Sequence, residues 1–420
     1  MPQDARRQTC RPTGGGLTRA TTVLFAVAGG LSVANIYYAQ PLLDAMARDF
    51  SIAPAAIGLV VTLTQVGYAL GLVFIVPLGD LVDRRCLIVG QALLSAVALS
   101  LVATAGTASI LFAGMAMTGV LAVVVQVLVA FAATLATPSD RGKAVGTVTS
   151  GVVIGILGAR FAAGLLADLG GWRAVYLTSA VLTLWMAGLL LRVLPRGLPP
   201  VSREGYGTAL RSVPALFLRD RVLLVRGLLA LLIFAAFSTF WTALVLPLGQ
   251  EPFSYSHTQI GLFGLVGMAG ALAASGAGRL ADRGLGQWTT GLSLTLLAAS
   301  WGLIAFLPHS VLFLLAGVIL LDLAVQAIHV TNQSIILALH PEASSRLVGG
   351  YMVFYSVGSA IGAIGATMIY DQAGWQGVCG LGALFSTVAL FTWAFNRSDQ
   401  EQSGTGKSAW SQPEPSTEVT

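Results

Sequence analysis

The chain has 420 residues, of which 55% are hydrophobic and only 10% are charged, and its mean hydropathy is +0.81. About 25% of residues are charged in an ordinary soluble domain, so this composition excludes a water-soluble fold and indicates a membrane protein. The net charge of +5 does not indicate nucleic-acid binding, because the Lys and Arg residues fall in short segments between apolar runs.

Apolar runs follow one another along the chain in a regular order. A membrane-spanning helix needs about 20 mostly apolar residues, and two sets of six such spans are predicted. The first set covers residues 21–43, 57–79, 86–105, 110–136, 144–167 and 173–194. The second set covers residues 223–248, 259–281, 287–307, 310–339, 347–370 and 376–396. The fold class is therefore an all-α polytopic membrane protein.

The runs divide the chain into two halves. We predict a cytoplasmic N-terminal tail over residues 1–20, a first six-helix bundle over 21–194, a cytoplasmic linker rich in Pro and Arg over 195–222, a second six-helix bundle over 223–396, and a disordered cytoplasmic tail over 397–420. With the N-terminus inside, only Arg48 and Arg173 fall in outer loops, as the positive-inside rule requires. Both termini are therefore expected to be cytoplasmic, in the plasma (inner) membrane.

Short motifs recur about half a chain apart in the same order, which indicates two parallel repeats. Any single pair could be a chance match in apolar sequence, but four pairs in the same order favour a true repeat. Parallel repeats in transporters place a solute site at the repeat interface near the bilayer midplane. The pairs are Ile57-Gly58-Leu59 with Ile260-Gly261-Leu262, Asp83-Arg84 with Asp282-Arg283, Gln126 with Gln326, and Gly171-Trp172 with Gly374-Trp375.

Several segments resemble the major facilitator superfamily. Gly79, Asp80, Asp83, Arg84 and Arg85 are similar to the family's motif between spans two and three, and a shorter echo contains Gly278, Asp282 and Arg283. Residues 34–43 and 322–326 are similar to spans one and ten of its drug- and sugar-efflux-like twelve-span branch. The resemblance implies two six-helix parallel repeats around a central cavity, alternating access, and efflux of a small solute.

The loop Gly79–Arg85 departs from the family motif because it lacks the usual second glycine. We expect it to act as a cytoplasmic latch that breaks when the two halves move. The alternative is a topology determinant with a surface ion pair, which contributes little energy. The span-four Arg and span-five Pro that are common in the antiporter branch are also missing, so proton coupling by the usual residues is not expected.

Asp322, Gln326, His329 and Gln333 lie in span ten within a stripe of about 60° on a helix. An ionised carboxylate near the bilayer centre costs at least about 2.5–3.5 kcal/mol, so it should face a cavity, form a pair or take up a proton. The functional interpretation is a proton-coupling or solute-contacting stripe, with Asp322 and His329 as coupling residues. The alternative is a network of hydrogen bonds between helices. Asn332, in the same span, is a further candidate for the solute cavity, together with Gln326 and Gln333.

Arg160 lies in the middle of span five and cannot readily lose its proton. It therefore needs a carboxylate, helix carbonyl groups or an anionic solute. Asp322 is a candidate partner across the two halves, and a pair that forms in one conformation would act as a gate. The alternative is an arginine whose charged end reaches the outer interface.

Polar residues in span one are candidates for the solute cavity, with an aromatic interface anchor as the alternative for the tyrosines. These residues are Asn35, Tyr37, Tyr38 and Gln40, and Gln126 in span four either joins them or bonds a neighbouring helix. Close helix packing is the predicted role of the glycines in span five, with control of leakiness as a further role. These glycines are Gly151, Gly155, Gly158 and Gly164.

The sequence contains no HExxH, CxxC, GxSxG or P-loop pattern, so we expect neither enzyme activity nor a cofactor or metal. The predicted function is secondary active transport of a small organic solute (a drug, sugar or amino-acid derivative), with proton-coupled efflux as the favoured form. Uptake by symport, uncoupled facilitation and a solute-sensing receptor are the alternatives. The expected partners are the solute, protons and membrane lipid, without nucleic acid, and the expected state is a monomer.

Overall fold

A computed structural model describes residues 18–137, 140–195, 206–274, 277–339 and 344–408, and every regular element in these ranges is helical. Most of the predicted N-terminal tail, residues 196–205 of the linker and residues 409–420 lie outside the described residues. In the first half the helices are α1 (Arg19–Tyr37), α2 (Leu43–Phe50), α3 (Leu59–Phe74), α4 (Arg84–Ala103), α5 (Ala108–Ala122), α6 (Val124–Leu135) and α7 (Arg141–Val193).

The linker and the second half contain the remaining helices. They are α8 (Tyr206–Arg219), α9 (Arg221–Ala243), α10 (Val245–Leu248), α11 (His257–Ala273), α12 (Ala277–Leu280), α13 (Gly286–Ala305), α14 (Val311–Leu339) and α15 (Ser344–Ser408). A bilayer offers the backbone no hydrogen-bond partners, so apolar segments that cross it must satisfy their own N–H and C=O groups as helices.

Polar side chains fix where several helices begin. Thr18, Asp83, Thr107 and Asp220 each accept a hydrogen bond from a backbone N–H in the first turn of α1, α4, α5 and α9. Ser256 forms a capping box with Gln259 at the start of α11. Such caps satisfy donors that the helix itself leaves free, each worth about 1 kcal/mol. The polar residues between the apolar runs therefore set the helix boundaries.

Nine helical segments in the described part of the chain are long and apolar enough to cross a membrane. Two of them, in α7 and α15, far exceed the roughly 20 residues of one crossing, and each bends at a glycine in the left-handed region, Gly171 with φ 78° and Gly374 with φ 61°. The all-α polytopic fold is thus confirmed. The count of twelve crossings stays a prediction, because it requires two crossings by each of these helices and one by the 17-residue α11.

The predicted disorder of the tail over residues 397–420 stays a prediction, although helix α15 extends into this range. Helix α15 continues to Ser408, because no proline occurs before Pro413 and an established helix gains one hydrogen bond for each added residue. The linker likewise contains a helix, α8, despite Pro214 within it. The Tyr206 hydroxyl at its start donates to the Phe74 carbonyl oxygen (2.8 Å), which joins the linker to the end of α3.

The helices pack as two halves with two main interfaces between them. Within the halves, α1 packs on α7, α3 on α5, and α9 on α15. Between the halves, α7 packs on α11 and α3 packs on α15. We refer to the end of the bundle that carries α8 and the start of α1 as the linker end. The opposite end, which carries α2 and the start of α11, is the distal end.

Two glycines of α7 bring its backbone against α1. A Cβ atom at Gly155 would lie 2.3 Å from the carbonyl oxygen of Gly30, and one at Gly151 would lie 2.4 Å from that of Ala26. A Cβ at Gly164 would meet the carbonyl oxygen of His257 in the other half at 2.1 Å. Gly158, in contrast, has no atom within 4 Å of its Cβ position. Close approach of helix backbones is typical of membrane helix packing.

We predict that Gly155→Ala destabilises the protein because the new methyl group meets backbone atoms, which cannot move aside like a flexible side chain. Overpacking of this kind costs about 1–3 kcal/mol. The measurement is the thermal midpoint of purified protein in detergent. Gly158→Ala is the matched control in the same helix, and we expect it to be neutral or slightly stabilising. Equal midpoints for the two variants would contradict the packing described here.

Candidate functional site

A cavity of about 310 Å³ lies between the two halves, with walls from α1, α3, α6 and α7 on one side and α9, α11, α14 and α15 on the other. It extends from the middle of the bundle towards the linker end, where Val145, Leu337 and Val348 line it. Most of the wall is aliphatic. The polar side chains that line it are Tyr37, Tyr68, Gln126, Thr149, Asp322, Gln326, His329, Gln333 and Tyr355.

Helix α14 supplies one polar wall of this cavity. Asp322, Gln326, His329 and Gln333 all line it, because positions three and four apart share one helix face. Asp322 is 2% exposed, and its Oδ2 has no hydrogen-bond partner among the described residues. The Trp241 indole lies close to this carboxylate, but its N–H does not complete a hydrogen bond. A buried carboxylate without a partner is costly, so the site is incomplete as it stands.

His329 is held from two sides. Its Nδ1 lies 3.1 Å from the Tyr351 hydroxyl and its Nε2 lies 3.3 Å from Nε2 of Gln333. The ring also packs edge-on against Phe234, with 5.2 Å between ring centroids. The histidine is therefore positioned by α14, α15 and α9 together, at the wall of the cavity.

Asn332 does not line the cavity. Its Oδ1 accepts a hydrogen bond from Nη1 of Arg226 (2.9 Å), which also donates to the Thr290 hydroxyl (3.1 Å). Arg226 is completely buried in α9 and is not among the site residues predicted from the sequence. An arginine four residues into the apolar run 223–248 was a signal that could have found it, because an ionised residue inside a span needs specific partners.

Arg160 is buried at 2% exposure, so its charged end does not reach an interface. Its Nε donates to Oε1 of Gln40 (2.9 Å), and its guanidinium carbon lies 4.0 Å from the ring centroid of Trp241. Asp322 is close enough to interact with it electrostatically, yet no salt bridge joins the two side chains among the residues that the structure describes. The gate pair predicted from the sequence is therefore not formed in this conformation.

Aromatic residues close the cavity towards the distal end. The hydroxyl groups of Tyr37 and Tyr355 are in hydrogen-bond contact across the two halves. Phe234 packs against Tyr355 with 3.9 Å between ring centroids, and Tyr37 also faces the Arg160 guanidinium at 5.1 Å. Tyr37 is thus a cavity residue rather than an interface anchor in this arrangement.

The other predicted cavity residues divide into two groups. Gln126 lines the cavity, and its Nε2 donates to the Tyr68 hydroxyl (3.2 Å). Asn35 and Tyr38 do not line it: Asn35 accepts a hydrogen bond from Ser179 (2.6 Å), and Tyr38 packs edge-on against Tyr176. With Gln40 bound to Arg160, these side chains hold α1 against α7. Tyr37 lines the cavity and its neighbour Tyr38 does not, and the sequence offered no way to tell which face of this segment points inward.

The loop Gly79–Arg85 is anchored in the first half. Asp83 caps α4 by accepting from the Arg85 backbone N–H (2.8 Å). The Arg84 side chain donates to the Gly79 carbonyl oxygen (2.8 Å) and to the Thr134 hydroxyl (2.8 Å), and Arg85 donates to the Leu191 carbonyl oxygen. Each of these contacts lies within the first half. The side chain of Asp80 is outside the described residues, so its predicted role stays a prediction.

The second copy of this motif lies between α11 and α13. Gly278 belongs to α12, and Asp282 and Arg283 lie in a single π-helical turn, Ala281–Leu285. Gly284 in this turn has φ 81°, a conformation that glycine adopts without strain. Arg283 is exposed, and the side chain of Asp282 lies outside the described residues.

A polar cluster joins the halves at the distal end, and we refer to Asp44, Asp168 and His257 as the distal gate. The His257 ring lies 3.1 Å from Oδ1 of Asp44 and 3.2 Å from Oδ1 of Asp168. Asp168 also accepts hydrogen bonds from the backbone N–H groups of His257 (3.2 Å) and Thr258 (2.8 Å). A carboxylate at a helix N-terminus is favoured by the free N–H groups and the helix dipole. One residue of the first half therefore caps a helix of the second.

The gate residues lie in the connections beyond the apolar runs 21–43, 144–167 and 259–281. Hydrogen bonding to Asp44, supported by Asp168 and opposed by burial, raises the pKa of His257. Burial alone would raise the pKa of Asp168, but hydrogen bonds from Thr258, Ser256 and His257 lower it to about 2. The cluster therefore favours a charged imidazole between two carboxylates.

The family model of the Major Facilitator Superfamily matches residues 25–292 and again residues 227–416. The chain belongs to the Major Facilitator Superfamily. Its sequence is 47% identical over 380 residues to that of the putative uncharacterized transporter YgaY of Escherichia coli (strain K12). The matched region covers 90% of this chain and 95% of that relative. It is 32% identical to the probable transporter SCO4007 of Streptomyces coelicolor, with 89% of this chain and 87% of the relative covered.

Solved structures of this superfamily share the fold. A bacterial homologue of the human lysosomal transporter Spinster, in an inward-facing and occupied conformation, superimposes with a TM-score of 0.73 at 13% identity, over 92% of this chain and 98% of the other. The nucleoside transporter NupG superimposes with a TM-score of 0.71 at 15% identity, over 89% and 98% of the two chains. The prediction of a multi-pass membrane transporter that is not an enzyme is confirmed, whereas the efflux-like branch stays a prediction.

We predict that Asp168→Ala weakens closure at the distal end, because it removes three hydrogen bonds to α11 from the other half. The measurement is the distance distribution between spin labels at Thr104 and His309, which are exposed at the distal ends of the two halves, in a cysteine-free background. The fraction of long distances should rise. Asp49→Ala is the matched control, because Asp49 bonds Trp172 and Arg173 within the first half only, and it should leave the distribution unchanged.

The same distances should depend on pH. Because the pKa of His257 is raised in the closed gate, its contribution is fully present below about pH 6.5 and is lost as the pH rises through the raised value. The two carboxylates contribute above about pH 4 and lose their effect only below that range. We therefore expect opening on the alkaline side in the wild type. His257→Gln should remove this dependence, and an identical alkaline opening in the variant would contradict it.

Proposed function

We propose that this transporter exports a small organic solute in exchange for protons, by alternating access of the central cavity. The single observation that carries the proposal is Asp322, a buried carboxylate on the cavity wall whose Oδ2 has no hydrogen-bond partner among the described residues. A carboxylate that lines a cavity at mid-bundle can take up a proton or contact a solute, and the cost of leaving it bare in hydrocarbon is high.

The conformation supports the alternating-access part of the proposal. The cavity extends to the linker end, while the distal gate and the Tyr37–Tyr355 contact close the other end. In the opposite state the distal gate would open and the linker end would close. The loop Gly79–Arg85, now bonded within the first half, is available as the latch of that second state.

The orientation is part of the proposal as well. The Lys and Arg distribution places the linker end and both termini in the cytoplasm, in the inner membrane of a bacterial cell, so the present state would face inward. Twelve crossings follow from the same assignment. Efflux is favoured by the resemblance of residues 34–43 and 322–326 to efflux-like permeases.

Arg160 supports a coupling role for Asp322. It lies in the first half and interacts electrostatically with Asp322 in the second, but its hydrogen bond goes to Gln40. A movement of α7 relative to α14 would change the distance between these two charges. Because the interaction between buried charges is strong, protonation of Asp322 would alter the balance between the two conformations. This is how a proton movement can be linked to opening and closing.

The test is solute-dependent proton flux in proteoliposomes with an internal pH dye, across a small library of organic solutes. We expect a hit to drive proton movement in the wild type and in Asp371→Asn, in which an exposed carboxylate is neutralised. Asp322→Asn should reduce the coupled proton flux at least 10-fold while the protein remains folded. Normal coupling in Asp322→Asn would refute the assigned role of this residue.

The direction of the gradients separates the alternatives. Proton movement opposite to the solute supports exchange, movement in the same direction supports uptake by symport, and solute movement without protons supports a facilitator. Solute binding without any transport would support a sensor. Each of the last three outcomes would overturn proton-coupled export.

A further inference from the structure

The polar groups of the cavity differ in whether the protein already uses them. Gln126 bonds Tyr68, the Tyr37 hydroxyl contacts Tyr355, and His329 lies between Tyr351 and Gln333. These groups are already hydrogen-bonded to one another, across helices or within α14, so they offer little free hydrogen-bonding capacity to a solute. A solute with many hydroxyl groups would leave most of them without partners, at about 1–3 kcal/mol each.

Asp322 and Gln326 differ from these groups because, in the part of the chain that the structure describes, the protein does not already use their side chains in hydrogen bonds. They lie one turn apart on the same face of α14, both line the cavity, and neither side chain has a geometrically complete hydrogen bond within the described residues. The pair presents a carboxylate, which only accepts, next to an amide whose oxygen can also accept. Because a carboxylate prefers a charged donor, this corner of the cavity matches an ammonium group.

The rest of the cavity wall has the opposite character. No Lys or Arg is among the described residues that line it. Arg160 is stacked on Trp241 and bonded to Gln40, and Arg226 is bonded to Asn332 and Thr290. An anionic solute would therefore meet no cation at the wall, while aliphatic side chains of α6, α7 and α14 would cover an apolar body.

Aromatic rings lie at the same cavity. Phe234 and Tyr355 pack together with 3.9 Å between ring centroids, and both line it. Ring faces attract cations, with a gain of about 0.5–2 kcal/mol. The protein already uses this interaction once, because Arg160 lies over the rings of Tyr37, Phe237 and Trp241. An ammonium group near these rings would gain from the same effect.

We propose that the solute of this cavity is an organic cation, with an ammonium group on Asp322 and Gln326 and an apolar body of aliphatic or aromatic character along the wall towards the linker end. This inference rests on the proposed function for its transport setting, but the binding itself needs no proton gradient. A cationic solute would also account for the proposed exchange of solute for protons, because one carboxylate can hold a proton or the cation, but not both.

The experiment measures equilibrium binding to purified protein in lipid nanodiscs by calorimetry. The probes are 4-phenylbutylammonium, shorter alkylammonium ions, and two matched compounds with the same apolar body, 4-phenyl-1-butanol and 4-phenylbutyrate. We expect the ammonium compound to bind at least 10-fold more tightly than the alcohol or the carboxylate. Its affinity should fall as the pH is lowered, because protons compete for the same carboxylate.

Variants identify the site. Asp322→Asn should weaken binding of the ammonium probe at least 10-fold and leave the alcohol unaffected, whereas Asp322→Glu should retain the preference for the cation. Asp371→Asn is the control for the loss of one carboxylate away from the cavity. The thermal midpoint of each variant shows whether it is folded, and the preference retained by Asp322→Glu shows that position 322 tolerates substitution.

Three results would overturn the proposal: no binding by any ammonium probe, equal or tighter binding of the alcohol or carboxylate, or unchanged ammonium binding by Asp322→Asn. Its failure is distinguishable from that of proton-coupled export. Proton flux driven by a neutral solute would leave export intact and exclude the cation. Cation binding that depends on Asp322 but drives no proton flux would leave the cation assignment intact and exclude coupling.

Discussion

Hydrocarbon offers no hydrogen bonds, and this constraint determines most of the structure. Backbone groups are satisfied inside the helices, so the chain is helical wherever it is apolar. Ionised side chains inside the spans need partners within the protein. Arg226 donates hydrogen bonds to Asn332 and Thr290. Arg160 donates one to Gln40 and lies over the Trp241 ring. Asp322 differs, because its Oδ2 has no hydrogen-bond partner among the residues that the structure describes. A buried polar atom of this kind at the wall of a cavity needs an explanation, and it is the reason why the proposed roles centre on this residue.

The sequence predicts the helices, their order and the polar face of α14, because these depend on local periodicity and on the water-free environment. It also predicts a break between residues 167 and 173 and another between 370 and 376, which is where Gly171 and Gly374 adopt the left-handed conformation. It cannot predict which helix of one half meets which residue of the other. The Gln40–Arg160 bond spans 120 positions and the Asp44–His257 contact spans 213, so neither leaves a local pattern. The roles of the cavity residues in solute and proton binding remain predictions.

The two repeats are similar in their helices but not in their polar chemistry. Asp168 and its equivalent in the second half, Asp371, are both exposed, and Asp168 accepts hydrogen bonds from backbone N–H groups of α11 in the other half. Gln126 is bonded to Tyr68, whereas Asp322 and Gln326 on the matching helix face the cavity without complete bonds. The two repeats thus differ in which polar groups they place at the shared cavity: the carboxylate on its wall, Asp322, comes from the second half.

The distal interface is formed by small residues and bare backbone as much as by side chains. Gly164 lies against the His257 carbonyl group, and Gly58 lies against the Ala363 carbonyl group across the other interface. At these glycines the contact is made by backbone atoms, so no side chain of the glycine itself has to move when the surfaces separate. Water can hydrate the exposed carbonyl groups and the freed ions of the gate, which offsets the lost contacts. Hydration of the groups that separate therefore lowers the free-energy cost of opening this end, which a transporter that works by the proposed alternating access would require.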